Sequence, residues 1–306
     1  MKRYTSLIIL IIINIGAFSQ DPTVTQLKEA ADKKIAKDLK DTIPQIWKMG
    51  GLYILNVSQG SLTNWQGGGD KSSFSLVSFL NLFAFYKKEK NEWDNTLDLG
   101  YGFINTTSLG TRKSDDRIDL LSKYGYQVSK HWYAGTLFNF RSQFTDGFEY
   151  AKDVNGAEVK TKTSGLLAPA YVLLSLGFNF KPSNSFSIFL SPVTERLILV
   201  NNDYLSSKGA YGVKPGKKIK NEIGAFLSAE FNKEIAKNVV YKSRFDAFSN
   251  YRNKPQNIDI FWTNILALKV NQYLSANIVL DLLYDDDAIG KLQVRQLLGV
   301  GFSAKF

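Results

Sequence analysis

The last fifteen residues of the chain constrain its fold more than any other stretch. Every second position from 292 to 306 is apolar except Gln296, and these positions are Leu292, Val294, Leu298, Val300, Phe302, Ala304 and Phe306. The alternate positions are mostly polar and include Arg295 and Lys305. A period of two predicts a β-strand with one apolar and one polar side. Such a strand is an adhesive edge in a soluble protein, whereas in a closed barrel it pairs back with the first strand.

This closing strand ends on an aromatic residue, Phe306. An amphipathic strand with a terminal aromatic resembles the insertion signal that barrel-assembly machinery reads in bacterial outer-membrane proteins. We therefore expect Phe306 to be an assembly signal and the barrel-assembly machinery to be a partner.

The N-terminus has the pattern of a secretory signal peptide. Lys2 and Arg3 precede an apolar run from residue 7 to 13, and Ala17-Phe18-Ser19 has the small-residue spacing of a cleavage site. The run is too short for a membrane-spanning helix. The sequence predicts a signal peptide over 1–19 and an exported protein. The chain contains no cysteine, which excludes a lipidated cysteine and any disulfide.

The composition of the exported chain is basic and aromatic. Without Lys2 and Arg3 it has 36 basic and 28 acidic residues, a net charge of +8. An exported chain rarely meets nucleic acid, so anionic lipid headgroups or solutes are the expected neighbours. Aromatic residues make up 13% of the sequence, and no later stretch has 18 consecutive apolar residues. This composition favours a transmembrane β-barrel over a helical membrane protein.

Residues 20–46 precede the first predicted strand. Within them, residues 23–42 carry a thin apolar stripe among charges, at Leu27, Ala30, Ala31, Ile35 and Leu39. We expect a short periplasmic segment that is helical or disordered. It is either a docking helix or a leader to the first strand.

Residues 47–306 are predicted to form twelve strands, each with one apolar parity. Predicted connections after the even-numbered strands are short, such as Ser129-Lys130 and Ala236-Lys237, and most of the others are longer, notably 148–166 and 200–219. An even strand count with short periplasmic turns and longer outer loops is typical of bacterial barrels. We predict an all-β fold, a twelve-stranded antiparallel transmembrane barrel in the outer membrane. The alternative is a soluble β-sandwich or lipocalin-like barrel with the apolar parity inside.

The barrel prediction places charges of both signs inside the lumen. The candidate lumen-lining residues are Asp98, Lys123, Arg141, Glu222, Glu230, Lys242, Arg244, Asp246, Asp281 and Arg295. They either interlock across a narrow interior and stabilise it, or line a polar channel that selects small solutes.

A polar, glycine-rich motif follows the start of the first strand. Between residues 50 and 75 it reads Gly50-Gly51, Leu55-Asn56, Ser58-Gln59, Ser61-Leu62, Asn64-Trp65, Gly67-Gly68 and Lys71-Ser72. This order resembles a Bacteroidetes outer-membrane family known as domain of unknown function 3078. The resemblance implies an exported outer-membrane β protein and brings no assigned activity. We expect Asn56 and Ser58 to face the lumen. The segment that contains Gln59, Asn64, Trp65, Gly67 and Gly68 is expected to form either a rim loop or a gate.

The sequence does not favour an enzyme, a metal site or a cofactor. The one histidine, His131, lies in a predicted periplasmic turn and lacks the partners of a catalytic triad. Asp285-Asp286-Asp287 lacks the spacing of a calcium loop, and we interpret it as a solvated turn.

A lysine-rich outer loop is a candidate lipid-binding element. Between 200 and 220, five lysines (Lys208, Lys214, Lys217, Lys218 and Lys220) face one acid, Asp203, a local charge of +4. The loop either holds anionic surface glycolipid or keeps the mouth of the barrel solvated.

Two functions remain open at this point. One is a narrow channel for small hydrophilic solutes, with anions as a candidate class. The other is a non-conducting structural or accessory subunit of a larger outer-membrane complex.

Overall fold

The computed structural model describes residues 46–63, 69–271, 274–286 and 290–305, without the side chains of Ser303 and Lys305. Its elements are β1 (Trp47–Ser61), β2 (Ser72–Lys88), β3 (Asn91–Thr106), β4 (Gly110–Gln127), β5 (Trp132–Ser142), β6 (Gly147–Lys152), β7 (Glu158–Ser164), β8 (Ala170–Ser183), β9 (Phe186–Leu199), α1 (Asp203–Ser207), a 3₁₀ turn (Ala210–Gly212), β10 (Ile219–Ala236), β11 (Val239–Asn250), β12 (Ile258–Lys269), β13 (Leu274–Tyr284) and β14 (Gln293–Lys305). The predicted signal peptide, most of the 20–46 segment and Phe306 lie outside these residues.

Twelve strands close into an antiparallel barrel, which confirms the predicted fold class. Each strand from β1 to β5 and from β8 to β14 pairs with its neighbours, and β1 meets β14 to close the ring. β5 pairs directly with β8, because β6 and β7 form a separate hairpin inside the connection between them. No helix among the described residues is long and apolar enough to cross a membrane.

The connections alternate in length around the barrel, with one exception. Two-residue turns join β2 to β3, β8 to β9 and β10 to β11, whereas residues 143–169 and 200–218 form long loops at the opposite end. The exception is the β3–β4 loop, which spans only residues 107–109. The apolar alternation of the sequence predicts that the fourth strand starts at residue 116, whereas β4 begins at Gly110. Residues 110–115, which the sequence pattern places in a loop, instead pair with β3 up to the Thr106–Gly110 pair.

The exterior of the barrel is apolar and ends in an aromatic girdle. Outward residues such as Leu174, Leu176 and Phe178 are half-exposed or more. At the short-turn end, the Trp47 ring lies 5.1 Å from that of Tyr86 and 5.9 Å from that of Trp93. A closed wall with an apolar outer surface and interfacial aromatic residues belongs in the bacterial outer membrane, as predicted.

Part of the interior is filled by apolar side chains. Strand β2 is apolar on both faces, and the register places Phe79, Phe83 and Phe85 inside. On the β4–β11 side six inward residues form a buried core: Leu121, Leu137, Leu173, Phe189, Phe226 and Phe248. Apolar packing inside a membrane barrel narrows its lumen, so the open path lies on the other side.

The loop between β9 and β10 folds as a cap over this filled side. Leu205 of α1 and Val213 pack onto Ala168, Ile198 and Val200 in a second buried cluster. The Tyr211 hydroxyl donates to the Thr163 carbonyl at 2.7 Å. Burial raises the pKa of Tyr211 to about 12, so the phenol keeps this donor proton at neutral pH. The predicted solvated loop is therefore in part an ordered lid.

Topology can be tested with inserted epitopes. We expect a tag after Asn155, in the turn between β6 and β7, to be detected on intact cells, because this hairpin lies at the long-loop end. A tag after Lys237, in the two-residue turn between β10 and β11, should require permeabilisation. Flow cytometry before and after permeabilisation measures both, and the reverse result would invert the barrel.

Candidate functional site

The lumen contains two cavities separated by charged side chains. The larger, of about 550 Å³, lies against the inner faces of β1–β4 and β10–β14. The smaller, of about 260 Å³, lies toward the long-loop end and is bounded by Gln143, Pro169 and Tyr284. Arg117, Asp119 and Phe261 line both cavities, so these side chains mark the constriction between them.

A central charge cluster of Asp119, Arg141, Arg244 and Asp246 crosses the lumen. Arg141 Nε lies 3.1 Å from Asp119 Oδ2, and the same guanidinium contacts Asp246. Arg244 lies 2.9 Å from Asp246 Oδ2 and 3.6 Å from Asp119. Asp246 also accepts a hydrogen bond from Ser228 at 2.7 Å. Each arginine therefore contacts both carboxylates, and β4, β5 and β11 are tied together inside the barrel.

A second cluster links β13 and β14 to the opposite wall. Arg295 contacts Asp281, its neighbour on β13, and reaches Asp115 on β4. Arg117 lies 3.1 Å from Asp281 Oδ2. The sequence identified Asp281 and Arg295, but not Asp115 or Arg117. Arg117 lies two residues before Asp119 and has the same inward parity, so the alternation of the sequence could have identified it. Asp115 lies before the start of the predicted strand, so the alternation could not.

Two further ion-pair groups lie toward the ends of the barrel. At the short-turn end, Lys123 lies 2.7 Å from Glu230, and Lys181 contacts both Glu92 and Asp94. Toward the outer mouth, Arg196 bridges Glu222 and Asp259, each at 2.5 Å. Glu222 is almost fully buried, with 1% of its surface exposed, and it also contacts Lys220 at 2.8 Å.

Lys242 differs from the other lumenal cations because it is loosely held. Its ammonium lies 3.9 Å from Asp98 Oδ2, and its side chain is 33% exposed within the larger cavity. Asp98 in turn accepts a hydrogen bond from the Asn81 amide at 2.5 Å. Lys242 is therefore the cation of this cavity that is best placed to meet a solute.

The motif residues divide between the lumen and the wall. Asn56 and Ser58 line the larger cavity, whereas Gln59 is exposed on the opposite parity. The Asn56 side-chain oxygen is buried and has no hydrogen-bond partner among the described residues. Asn64, Trp65, Gly67 and Gly68 lie outside the described residues, so the choice between a rim loop and a gate stays open.

The other candidate elements occupy ordinary structural positions. The ring of His131, in the 128–131 turn, contacts the Lys181 carbonyl at 3.2 Å. Asp285 is buried, so the interpretation of this segment as a solvated turn is wrong at that residue. Asp286 accepts a hydrogen bond from the Asn257 amide at 2.7 Å, which lowers the pKa of Asp286. In the described part of the chain, no group of three or more His, Cys, Asp or Glu residues could hold a metal ion.

The lysine-rich loop keeps part of its charge paired. Lys218 lies 2.9 Å from Asp203, and Lys220 contacts Glu222 at the mouth. Binding of anionic glycolipid by this loop stays a prediction.

Several solved outer-membrane barrels are similar to this chain in outline. The translocator domain of the autotransporter NalP from Neisseria meningitidis is 10% identical, with 85% of this chain and 89% of that one covered and a TM-score of 0.39. The NanC porin is 9% identical, with 82% and 98% covered and a TM-score of 0.38. An outer-membrane channel from Pseudomonas putida F1 is 11% identical, with 89% and 100% covered and a TM-score of 0.39. At such TM-scores these likenesses assign no solute or activity.

No curated protein matches the sequence. One family model does match, over residues 57–148, a span that begins within the polar motif on β1 and ends in β6. The matched family is described as a protein of unknown function (DUF3078), and the match confirms the resemblance inferred from the sequence motif.

Proposed function

We propose that this barrel is a narrow channel for small hydrophilic solutes. The observation that carries the proposal is the larger cavity, which follows the inner wall from Asp94 near the short turns to Ser58 near the long loops. About 550 Å³ of space beside polar and charged groups accommodates a small solute together with water.

The charges along this cavity argue against a preference for anions. Five acidic and four basic side chains line it among the described residues: Asp94, Asp98, Asp115, Asp119, Glu230, Arg117, Lys123, Lys242 and Arg244. Selectivity for one sign requires a surplus of the opposite charge. We therefore propose uncharged or zwitterionic solutes, and not the anionic class considered from sequence.

The experiment is a conductance and liposome-swelling measurement on the refolded protein. We expect a small, steady conductance, a reversal potential near zero in a KCl gradient, and swelling with arabinose but not with a trisaccharide. A silent bilayer and no swelling would overturn the channel proposal.

A non-conducting structural subunit is the second candidate, and the ion pairs across the lumen favour it. The central charge cluster ties three strands, and the apolar core and the cap close one side of the interior. A silent barrel that co-purifies with a larger membrane complex would support this candidate.

The variant Arg244→Gln tests whether the central charge cluster stabilises the interior or sets the ion preference of a channel. Because Arg141 still contacts both carboxylates, we expect a loss of about 1–3 kcal/mol in the free energy of unfolding, the cost of leaving a buried acceptor under-satisfied. In a conducting barrel the reversal potential should also shift toward cations.

The matched control is Lys242→Gln, two residues away on the same face. Its pair with Asp98 is long and partly exposed, so stability should change by only about 0–1 kcal/mol. Urea unfolding and planar-bilayer recordings measure both variants. Equal stability of the two would show that Arg244 is solvated and not interlocked.

A further inference from the structure

The seam between the first and last strands is incompletely paired. β1 and β14 pair from Leu52–Lys305 to Asn56–Gly301, only five positions among the described residues, whereas β1 pairs with β2 along its whole length. Beyond the Asn56–Gly301 pair, residues 57–61 of β1 and 293–300 of β14 make no ladder contacts with each other. The wall is therefore split on the long-loop side of this pair.

The larger cavity reaches this split. Its lining includes Val57, Leu298 and Val300, which belong to the outward parity of their strands. Leu298 is 73% exposed and Val300 is 60% exposed, so they lie in the apolar outer surface of the barrel. Because the β1–β14 ladder ends at the Asn56–Gly301 pair, these three residues bring the cavity to the unpaired edges of both strands.

The backbone at such a gap requires hydrogen-bonding partners. Unpaired strand edges are not tolerated against lipid unless they border water or protein. The polar motif lets water reach the unpaired backbone here, because Asn56 and Ser58 face the cavity at the point where pairing stops. A side chain at Gly299 would collide with the Asn56 amide, so the glycine leaves room for this edge.

The cavity behind the seam has an apolar wall and one loosely held cation. Ile54 and Phe79 are register partners on one side, and Leu297 and Val279 are register partners on the other. Further along, Phe83 and Phe85 stack with ring centroids 5.0 Å apart. Lys242 lies in the same cavity, 3.9 Å from Asp98. The cavity as a whole has no surplus of positive charge, so it does not select anions, but one available ammonium beside an apolar surface suits the anionic head of a molecule with an apolar chain.

We propose that the β1–β14 seam is a lateral opening through which a small single-chain carboxylate amphiphile passes between the membrane and the lumen. The apolar chain lies along Ile54, Phe79 and Phe83, and the carboxylate contacts Lys242. The proposal shares its cavity with the channel proposed above, but it rests on the seam and not on conduction of hydrophilic solutes.

The test closes the seam with a disulfide. The chain has no cysteine, so Val57→Cys/Val300→Cys introduces the only pair, and continuing the register places these residues opposite each other. A bismaleimide of short span closes the pair if the sulfurs do not meet. The matched control, Leu55→Cys/Phe302→Cys, joins register partners where the strands are already paired.

The probe is 11-(dansylamino)undecanoic acid, added to vesicles that contain the refolded barrel. We expect the reduced Val57→Cys/Val300→Cys protein to bind it as the parent does, and the closed form to bind at least tenfold more weakly, with recovery on reduction. The control pair should bind equally well in both states. Equal binding by the closed and open forms would overturn the lateral opening, and so would a parent that does not bind.

A second variant tests the head group. Lys242→Gln should weaken binding of the carboxylate probe about tenfold and leave binding of its carboxamide analogue unchanged. Loss of both, or of neither, would remove the proposed role of Lys242.

Arabinose swelling, measured in parallel on the closed-seam protein, reports on the channel separately. Swelling without probe binding overturns only the lateral opening, and probe binding without swelling overturns only the hydrophilic channel.

Discussion

The variant Arg196→Met is expected to be the most destabilising single change in the lumen. Arg196 is buried and holds two acids, Glu222 and Asp259, each at 2.5 Å. Methionine preserves much of the side-chain length against Phe248, whose ring lies 4.2 Å from the guanidinium. It removes the charge, however, and leaves both carboxylates in a poorly solvated interior. Breaking a buried ion pair by removing one partner costs roughly 3–5 kcal/mol.

Urea unfolding of protein refolded in phospholipid vesicles measures this loss, with tryptophan fluorescence as the signal and the slope compared between variants. The matched control is Lys218→Met in the cap, whose partner Asp203 is 90% exposed, so the loss should be about 0–1 kcal/mol. Adding Asp259→Asn to Arg196→Met removes the carboxylate whose ion pair among the described residues is with Arg196, and it should recover part of the stability, whereas Glu222 still contacts Lys220. An Arg196→Met protein that unfolds with the parent would mean that water solvates this end of the lumen.

The architecture could be predicted from local pattern alone. In a barrel wall every residue faces either lipid or lumen, so the alternation of apolar and polar residues predicts which way each side chain points. That rule placed all ten candidate residues inside: eight of them line the two lumenal cavities, and the other two, Glu222 and Asp281, are buried. It was ambiguous for β2, where apolar residues occupy both faces, because a filled lumen also accepts Phe83 and Phe85.

The pairing of those charges could not be predicted, because it depends on distances across the lumen. Arg295 and Asp115 are 180 positions apart in the chain, and they meet only when the ring closes. The cap was missed for a related reason, since the apolar residues of 200–218 are few and only their packing on Ile198 and Ala168 orders them. The five-position pairing of β1 with β14 likewise depends on the stagger of the whole barrel and leaves no local signal.

The second large effect is expected on the lipid face. Leu176, near the middle of β8, is 60% exposed on the outward parity and is flanked by Thr136 and Val193. In Leu176→Arg the guanidinium would face hydrocarbon, and a lipid-facing arginine near the bilayer midplane costs roughly 2–4 kcal/mol. Vesicle-based urea unfolding, as for the lumenal variants, measures this loss.

The matched control for Leu176→Arg is Ile258→Arg, at the first residue of β12 on the same outward face. There the arginine reaches the interface, and the loss should fall to about 0–1 kcal/mol. Both variants introduce an arginine on the outward face, so the difference between their losses of unfolding free energy reports the depth of the two positions in the membrane. Equal losses at both positions would mean that the apolar exterior is not embedded in lipid as the girdle of Trp47 and Trp93 places it. That outcome would favour the soluble barrel over the outer-membrane one.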